Sequence, residues 1–212
     1  IWATLVAGQD WLTCVGRLAF PIFAFLLVEG FFHTRDLKRY VLRLLLLALL
    51  SEIPFDLMYA GTSFFPFHQN VIWTFLIALF CMWVIERVKR RGNLWLTLLA
   101  AAGMSLAGWL AGTIAMVDYY GAGVLTVLLF YLFRGGLWWQ RLGQAAGMIW
   151  INCGLLAGLV LQVNILGLTV EFPQQGFALL ALIPIWLYRG RQGYHSRWVQ
   201  TACYLFYPVH IL

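Results

Sequence analysis

The chain has 212 residues, of which 63% are hydrophobic and 10% are charged, and its mean hydropathy is +0.83. Soluble domains are about 45–50% apolar and about 25% charged, so this composition excludes a water-soluble enzyme, and it equally excludes disorder. The formal charge of +6 is explained by loop placement at a membrane, and we expect no nucleic-acid partner. The sequence therefore predicts an all-α fold, a polytopic transmembrane helical bundle in a lipid bilayer.

Eight segments are apolar enough to be spanning helices, which need roughly 20 mostly apolar residues, or about 17 at the short end. They are residues 13–32, 40–60, 70–86, 94–116, 119–133, 142–163, 172–188 and 198–212. Because no linker or strong internal repeat divides the chain, we expect residues 1–212 to form a single transmembrane helical domain.

The basic residues predict the orientation of these spans. Twelve of the fourteen Lys and Arg residues follow the first, third, fifth and seventh spans, whereas the loops 61–69, around 117–118 and 164–171 contain none. This alternation is the positive-inside pattern, so the basic loops are predicted to be cytoplasmic. It places Ile1 outside, and one more helix before residue 1 would explain that position.

Few signals for metal, redox or nucleotide chemistry are present. Four cysteines fall in apolar segments without metal-ligand spacing, so we expect neither a disulfide nor a metal site. P-loop, Rossmann, zincin and nucleophile-elbow motifs are absent from the sequence.

Ionisable residues within the first predicted span cost about 2.5–3.5 kcal/mol each on insertion scales, so they indicate partners or a polar cavity. Arg17 is one of them, and Glu29 lies four residues before His33, on the same helical face. Glu29 could orient His33 as a general base near neutral pH. Alternatively, Glu29 pairs with a cation such as Arg43, and His33 only ends the helix.

The second predicted span carries Glu52 and Asp56, again four residues apart, with Pro54 between them to kink the helix. By the predicted topology they lie toward the outer half, where they could form a polar chamber or a proton path. Structural pairing with Arg17 is the alternative interpretation.

Polar residues also occur at two predicted outer turns and in the last span. They could bind an exported substrate, or they could be ordinary loop, cap and interior residues. The residues are His68, Gln69 and Asn70, then Asp118, Tyr119 and Tyr120, and finally His210.

The cytoplasmic run HTRDLKRYVLR presents His33, Arg35, Lys38, Arg39 and Arg43. These groups could bind the phosphates of a nucleotide-derived cofactor through charge-assisted hydrogen bonds. Positive-inside bias alone is the other explanation for this cluster.

Several strings of this sequence, GRLAFPIFAFLLVEGFFHTRDLKRYVLRL, SEIPFDL, HQNVIWTF and YPVHIL, resemble the TraX family of bacterial membrane proteins. That family is named for a conjugative pilus protein that acetylates the pilin N-terminus, and it is similar to membrane acyltransferases that modify exported sugars and polymers. The resemblance aligns Arg17, the Glu29, His33 and Arg35 element, the SEIPFD residues and the Gln69–Asn70 pair with family motifs. The family usually has a preceding helix with an Asp-His pair, and no Asp-His dipeptide occurs here.

The resemblance implies a multi-pass acyltransferase of the bacterial plasma (inner) membrane, which transfers an acetyl group from cytoplasmic acetyl-CoA to an amine or hydroxyl. The acceptor would be an exported or cell-surface molecule, either a pilin-like protein or a glycan. A base, oxyanion donors and a cationic seat for coenzyme A are needed. We expect His33 with Glu29 as the base, Arg17, Gln69 and Asn70 as donors, and Arg35, Lys38, Arg39 and Arg43 as the seat. A small proton-coupled transporter or exporter is the alternative, and a structural assembly factor for a surface appendage is a third hypothesis.

Overall fold

The computed structural model describes residues 14–158, 160–165, 168–190, 196, 198, 201–202 and 206–209, and for 161–172 it describes the backbone alone. Six helices come first: α1 Ala19–His33, α2 Leu37–Ala60, α3 Val71–Lys89, α4 Leu94–Ile114, α5 Tyr120–Leu132 and α6 Trp138–Ile149. A π-helical segment, Trp150–Leu155, continues α6 and precedes an antiparallel hairpin of β1 Val160–Ile165 and β2 Leu168–Pro173. A 3₁₀ segment, Gln174–Ala181, then leads into α7 Leu182–Leu187. The fold is of the all-α class, with one small hairpin.

Among the described residues, three helical stretches are long and apolar enough to cross a membrane: Cys14–His33, Val71–Lys89 and Leu94–Ile114. They correspond to the first, third and fourth predicted spans, and Tyr120–Leu132 is a shorter apolar helix at the fifth. The second predicted span is also helical, since α2 runs through Pro54 for 24 residues. Arg43, Glu52 and Asp56 interrupt its apolar character.

The prediction of a sixth span at 142–163 was wrong in its second half, because the helical segment ends at Leu155 and β1 begins at Val160. The predicted outer loop at 164–171 is the end of this hairpin, with Ile165 opposite Leu168. Polar and apolar residues alternate along Thr169–Phe172 with the period of two that favours a strand. The predicted seventh span becomes helical only from Gln174. Most of the eighth, including His210 and Cys203, lies outside the described residues.

Side-chain caps mark the starts of two long helices, and a glycine marks the end of one of them. Asp36 accepts a hydrogen bond from the Arg39 backbone N–H at 3.1 Å at the start of α2, and Asn93 accepts one from Leu96 at 3.1 Å at the start of α4. These side chains satisfy N–H groups that have no partner inside a helix. At the end of α2, Gly61 adopts φ 69°, a left-handed conformation that glycine tolerates best.

The residues form two compact units. The first comprises the described residues of 14–29 and 126–188. Aromatic rings build part of its core, because Phe25 makes edge contacts with Phe130 at 6.0 Å and with Tyr188 at 5.5 Å between ring centroids. Gln144 is buried and bridges this core, donating to the Phe133 carbonyl at 2.9 Å and accepting from Trp186 Nε1 at 2.8 Å.

The second unit comprises 30–125 and the described residues of 189–209, and within it α3 packs against both α2 and α4. The buried side of α3 includes Phe75, Leu79, Met82 and Ile85. Close approach at the α4–α5 turn depends on Gly121, where an added Cβ would lie 2.3 Å from the Trp109 backbone oxygen. This packing positions the polar residues described next. The three described cysteines, Cys14, Cys81 and Cys153, are free thiols.

Candidate functional site

Glu52 is held by two donors from the start of α3. Its Oε2 atom accepts hydrogen bonds from Asn70 Nδ2 and, at 2.9 Å, from Trp73 Nε1. Asn70 is completely buried; its Nδ2 also donates to the Ala48 carbonyl at 2.9 Å, while its Oδ1 accepts from the Ile72 N–H at 3.0 Å. One asparagine therefore caps α3 and ties that helix to α2.

Asp56 lies one helical turn further along α2, and only 2% of its surface is exposed. Its Oδ2 accepts a hydrogen bond from the Phe65 backbone N–H at 2.9 Å. The second oxygens, Asp56 Oδ1 and Glu52 Oε1, are both buried without a hydrogen-bond partner. Because buried polar atoms are normally paired, these two oxygens are acceptors available to a substrate group or a water molecule.

His68 and Asp118 approach each other from two different loops. The distance between His68 Nε2 and Asp118 Oδ1 is 3.8 Å, within ion-pair range but longer than a hydrogen bond. The other ring nitrogen of His68, Nδ1, is buried and has no hydrogen-bond partner. The residues predicted at two separate outer turns thus lie together.

Gln69 and two tyrosines lie beside these polar groups. The Gln69 side chain donates to the Pro66 carbonyl at 3.1 Å, and the Tyr119 backbone N–H donates to Asp118 Oδ1 at 3.0 Å. Tyr207, from the last described segment, has its phenol beside the Val71 backbone and within electrostatic reach of Glu52 and Asp118. We refer below to Glu52, Asp56, His68, Asn70, Trp73 and Asp118 as the polar cluster.

In the first unit, Glu29 forms a two-pronged ion pair with Arg134. Arg134 Nε donates to Glu29 Oε1 at 2.7 Å and Nη2 donates to Oε2 at 3.2 Å. The cation is Arg134 rather than the suggested Arg43, which is exposed. Sequence reasoning used Arg134 only as a topology signal, so this partner was missed. Arg17 Nε is buried without a hydrogen-bond partner, and its predicted link to Glu52 and Asp56 stays a prediction.

The basic run lies between α1 and the first turns of α2. The side chains of His33, Arg35, Lys38 and Arg43 are exposed. Arg39 is also exposed but forms an ion pair with Asp36 at 3.0 Å. Arg35 and Lys38 are therefore the more suitable of these cations for a phosphate.

The sequence predicted most members of the polar cluster but missed Trp73. Its indole N–H is the second donor to Glu52, and it lies three residues after Asn70, one helical turn along α3. An Asn cap followed by a Trp one turn later, near a carboxylate on the preceding helix, is not a recognised motif. No signal in the sequence therefore identified it.

Apolar helices of spanning length, together with a partly buried polar cluster beside α2, α3 and the α4–α5 loop, define a polytopic helical membrane protein with a polar site. The family model described as "TraX protein" matches residues 3–212. The chain therefore belongs to the TraX family. It is 30% identical over 209 residues to the "Probable fimbrial assembly protein FimC, serogroup H1" of Dichelobacter nodosus, covering 93% of this chain and 78% of that protein. No solved structure matches the chain.

Proposed function

We propose that this protein is an integral membrane acyltransferase that transfers an acetyl group from cytoplasmic acetyl-CoA to an amine or hydroxyl of an exported or cell-surface acceptor. The polar cluster carries the proposal, because it combines an imidazole, carboxylates and buried unpaired acceptor atoms where α2, the α2–α3 loop and the α4–α5 loop meet. Acyl transfer needs these groups to bind an acceptor and remove its proton. Membership of the TraX family supports the same reaction class.

The acceptor we propose is a pilin-like protein or a glycan of the cell surface. A relative at 30% identity is described as a fimbrial assembly protein, and modification of an appendage subunit is one contribution that a membrane enzyme could make to such assembly. The site of action is the plasma (inner) membrane of a bacterium, with the basic loops in the cytoplasm.

Coenzyme A is assigned to the basic run at the start of α2. Its phosphates would be held by Arg35 and Lys38, with Arg43 one to two turns further along the same helix. His33 adjoins this run and stays a candidate base on the cytoplasmic side. Gln69, next to His68, would donate a side-chain N–H to the oxyanion that forms from the thioester.

The decisive experiment measures thermal stabilisation of the purified protein by coenzyme A. A ligand that binds only the folded state stabilises it by about 2.7 kcal/mol at one hundred times its Kd. We expect the double variant Arg35→Gln/Lys38→Gln to bind roughly tenfold more weakly, because each partly solvated charge contact is worth up to about 1 kcal/mol. Affinity should fall with added salt for the same reason.

A matched control is Arg90→Gln/Arg91→Gln, which removes two exposed cations from another basic loop, the one after α3. This control should bind coenzyme A as the unmodified protein does. Equal weakening in both double variants would mean that only net charge matters. No stabilisation of the unmodified protein would refute the acyltransferase and favour the transporter, for which coenzyme A is not a ligand.

A further inference from the structure

His68 lies in the loop between α2 and α3, and an aromatic collar fixes its ring. Tyr59 stacks on it with 4.6 Å between centroids and 29° between planes, while Phe55 and Tyr120 each lie 5.7 Å away. Only 9% of the residue is exposed. An imidazole fixed in this way has little freedom to change the direction of its two nitrogens.

The loop that carries Asp118 is fastened to the His68 loop by backbone hydrogen bonds. Gln69 N–H donates to the Met116 carbonyl and Asp118 N–H donates to the Gln69 carbonyl, both at 2.9 Å. Thr74 Oγ1 adds a hydrogen bond to the Asp118 carbonyl at 2.8 Å. Hydrogen bonds to the backbone N–H and to the backbone carbonyl of Asp118 therefore hold its carboxylate beside His68.

Backbone strain in the Asp118 loop indicates that this position is maintained at a cost. Three non-glycine residues have positive φ: Met116 at 51°, Tyr119 at 62° and Tyr120 at 48°. Each such residue costs on the order of 1–3 kcal/mol, and such strain occurs mainly at active sites and ligand clamps. It persists here because the bridge between Gln69 and Val117 and the Thr74 hydrogen bond hold the loop.

We propose that His68 is the general base that removes the proton from the acceptor, with Asp118 as its positioning residue. The Asp118 carboxylate faces Nε2, so it favours the tautomer with the proton on Nε2 and leaves a lone pair on Nδ1. Nδ1 is the buried, unpaired nitrogen. A distance of 3.8 Å is longer than a catalytic hydrogen bond, but such bonds are often long without substrate and shorten when it binds. This inference rests on the proposed acyltransferase function.

In the proposed step, the acetyl group exchanges its bond to sulfur for a bond to the acceptor. The acceptor nitrogen or oxygen attacks the thioester carbonyl carbon, a new C–N or C–O bond forms, and the C–S bond breaks. The proton released by the acceptor passes to His68 Nδ1, and then to the departing coenzyme A thiolate. The products are the acetylated acceptor and free coenzyme A, and no metal or redox partner takes part.

The titratable groups around His68 lie on α2, on α5 and in the loop between α4 and α5. Asp118 faces it from the α4–α5 loop, and Tyr59 and Tyr120 contact its ring. Asp56 lies on α2 between Phe55 and Tyr59, which both contact the ring. Of these, Asp118 is the one whose carboxylate lies within ion-pair range of the ring, with 3.8 Å between Oδ1 and Nε2. Its removal should therefore move the acidic limb of the pH–rate profile to lower pH.

The test measures thiol release from acetyl-CoA by the purified protein, with a short peptide bearing a free N-terminus as the amine probe and a methyl glycoside as the hydroxyl probe. We expect His68→Gln to lower kcat by about 10²–10⁴-fold, the usual contribution of a general base. Asp118→Asn should lower it less and shift the acidic limb to lower pH, a change that a merely structural role does not produce. Ser63→Ala, an exposed position in the same loop, is the control and should match the unmodified protein.

Stabilisation by coenzyme A separates failure of this inference from failure of the proposed function. His68→Gln should retain that stabilisation, which also shows that the variant folds. Retained stabilisation together with full thiol release by His68→Gln would overturn the assignment of the base and leave the acyltransferase intact. No thiol release by the unmodified protein with either probe would overturn both.

Discussion

Asn70 joins two helices and caps one of them, so its substitution should separate these two contributions to stability. Asn70→Ala removes the cap of α3, worth about 1 kcal/mol, and leaves two buried acceptors, Glu52 and the Ala48 carbonyl, without this donor. An unsatisfied buried polar group costs about 1–3 kcal/mol. Because Trp73 still donates to Glu52 at 2.9 Å, we expect a total loss of about 2–4 kcal/mol.

Two further variants at this position divide that total. Asn70→Ser keeps an oxygen for the Ile72 N–H but cannot reach Glu52, so it should lose about 1–3 kcal/mol. Asn70→Asp also keeps the cap but places a second carboxylate beside Glu52, so its deficit should be largest at pH 8. Protonation of one carboxyl relieves this repulsion, so stability should recover as the pH falls toward 5.

The assay is denaturant unfolding of the protein in detergent micelles, followed by circular dichroism at pH 8 and pH 5. The unmodified protein and Asn70→Ala provide the two limits of the series. An Asn70→Ser variant as stable as the unmodified protein would show that the link between α2 and α3 contributes nothing. An Asn70→Asp variant insensitive to pH would show that Glu52 does not lie beside this position.

Three other changes test the packing, the ion pair and the orientation. Gly121→Ala should destabilise the protein by about 1–3 kcal/mol in thermal unfolding, because the new Cβ meets Trp109 at 2.3 Å, whereas Gly103→Ala, with nothing within 4 Å, should be neutral or stabilising. In a double-mutant cycle, Glu29→Gln and Arg134→Gln should be less than additive in unfolding free energy, and strict additivity would contradict an interaction between them. A Ser63→Cys variant should react with a membrane-impermeant maleimide added outside intact cells, and protection from it would contradict the predicted topology.

The polar cluster shows how far local sequence reasoning reaches. The spacing of Glu52 and Asp56 placed both carboxylates on one face of a helix, and each does accept a hydrogen bond from the chain that follows α2. The sequence also indicated Asn70 at the start of α3, where it is the N-cap. These relations are local, because a helix repeats every 3.6 residues and caps act within one turn.

The sequence by itself determined the class of protein and most of its long helices. In a bilayer, the backbone N–H and C=O groups of a spanning segment must form hydrogen bonds within that segment, so a long apolar stretch is expected to form a helix. That constraint weakens where apolar and polar residues alternate, and residues 160–173 form a hairpin instead of the predicted helix end and loop. A short apolar run can form either a helix or a strand, and the segments that pack or pair with it determine which one forms.

Only the tertiary structure decided which distant side chains meet. Glu29 and Arg134 are 105 residues apart in the chain, and Thr74 reaches the Asp118 carbonyl across 44 residues. His68 and Asp118 were predicted at separate turns, and the pairing of Gln69 with Val117 brings them together. Such contacts depend on how the helices pack and on which loops come together. Hydropathy and residue spacing do not encode them, because each of those patterns describes one segment, whereas a contact involves two.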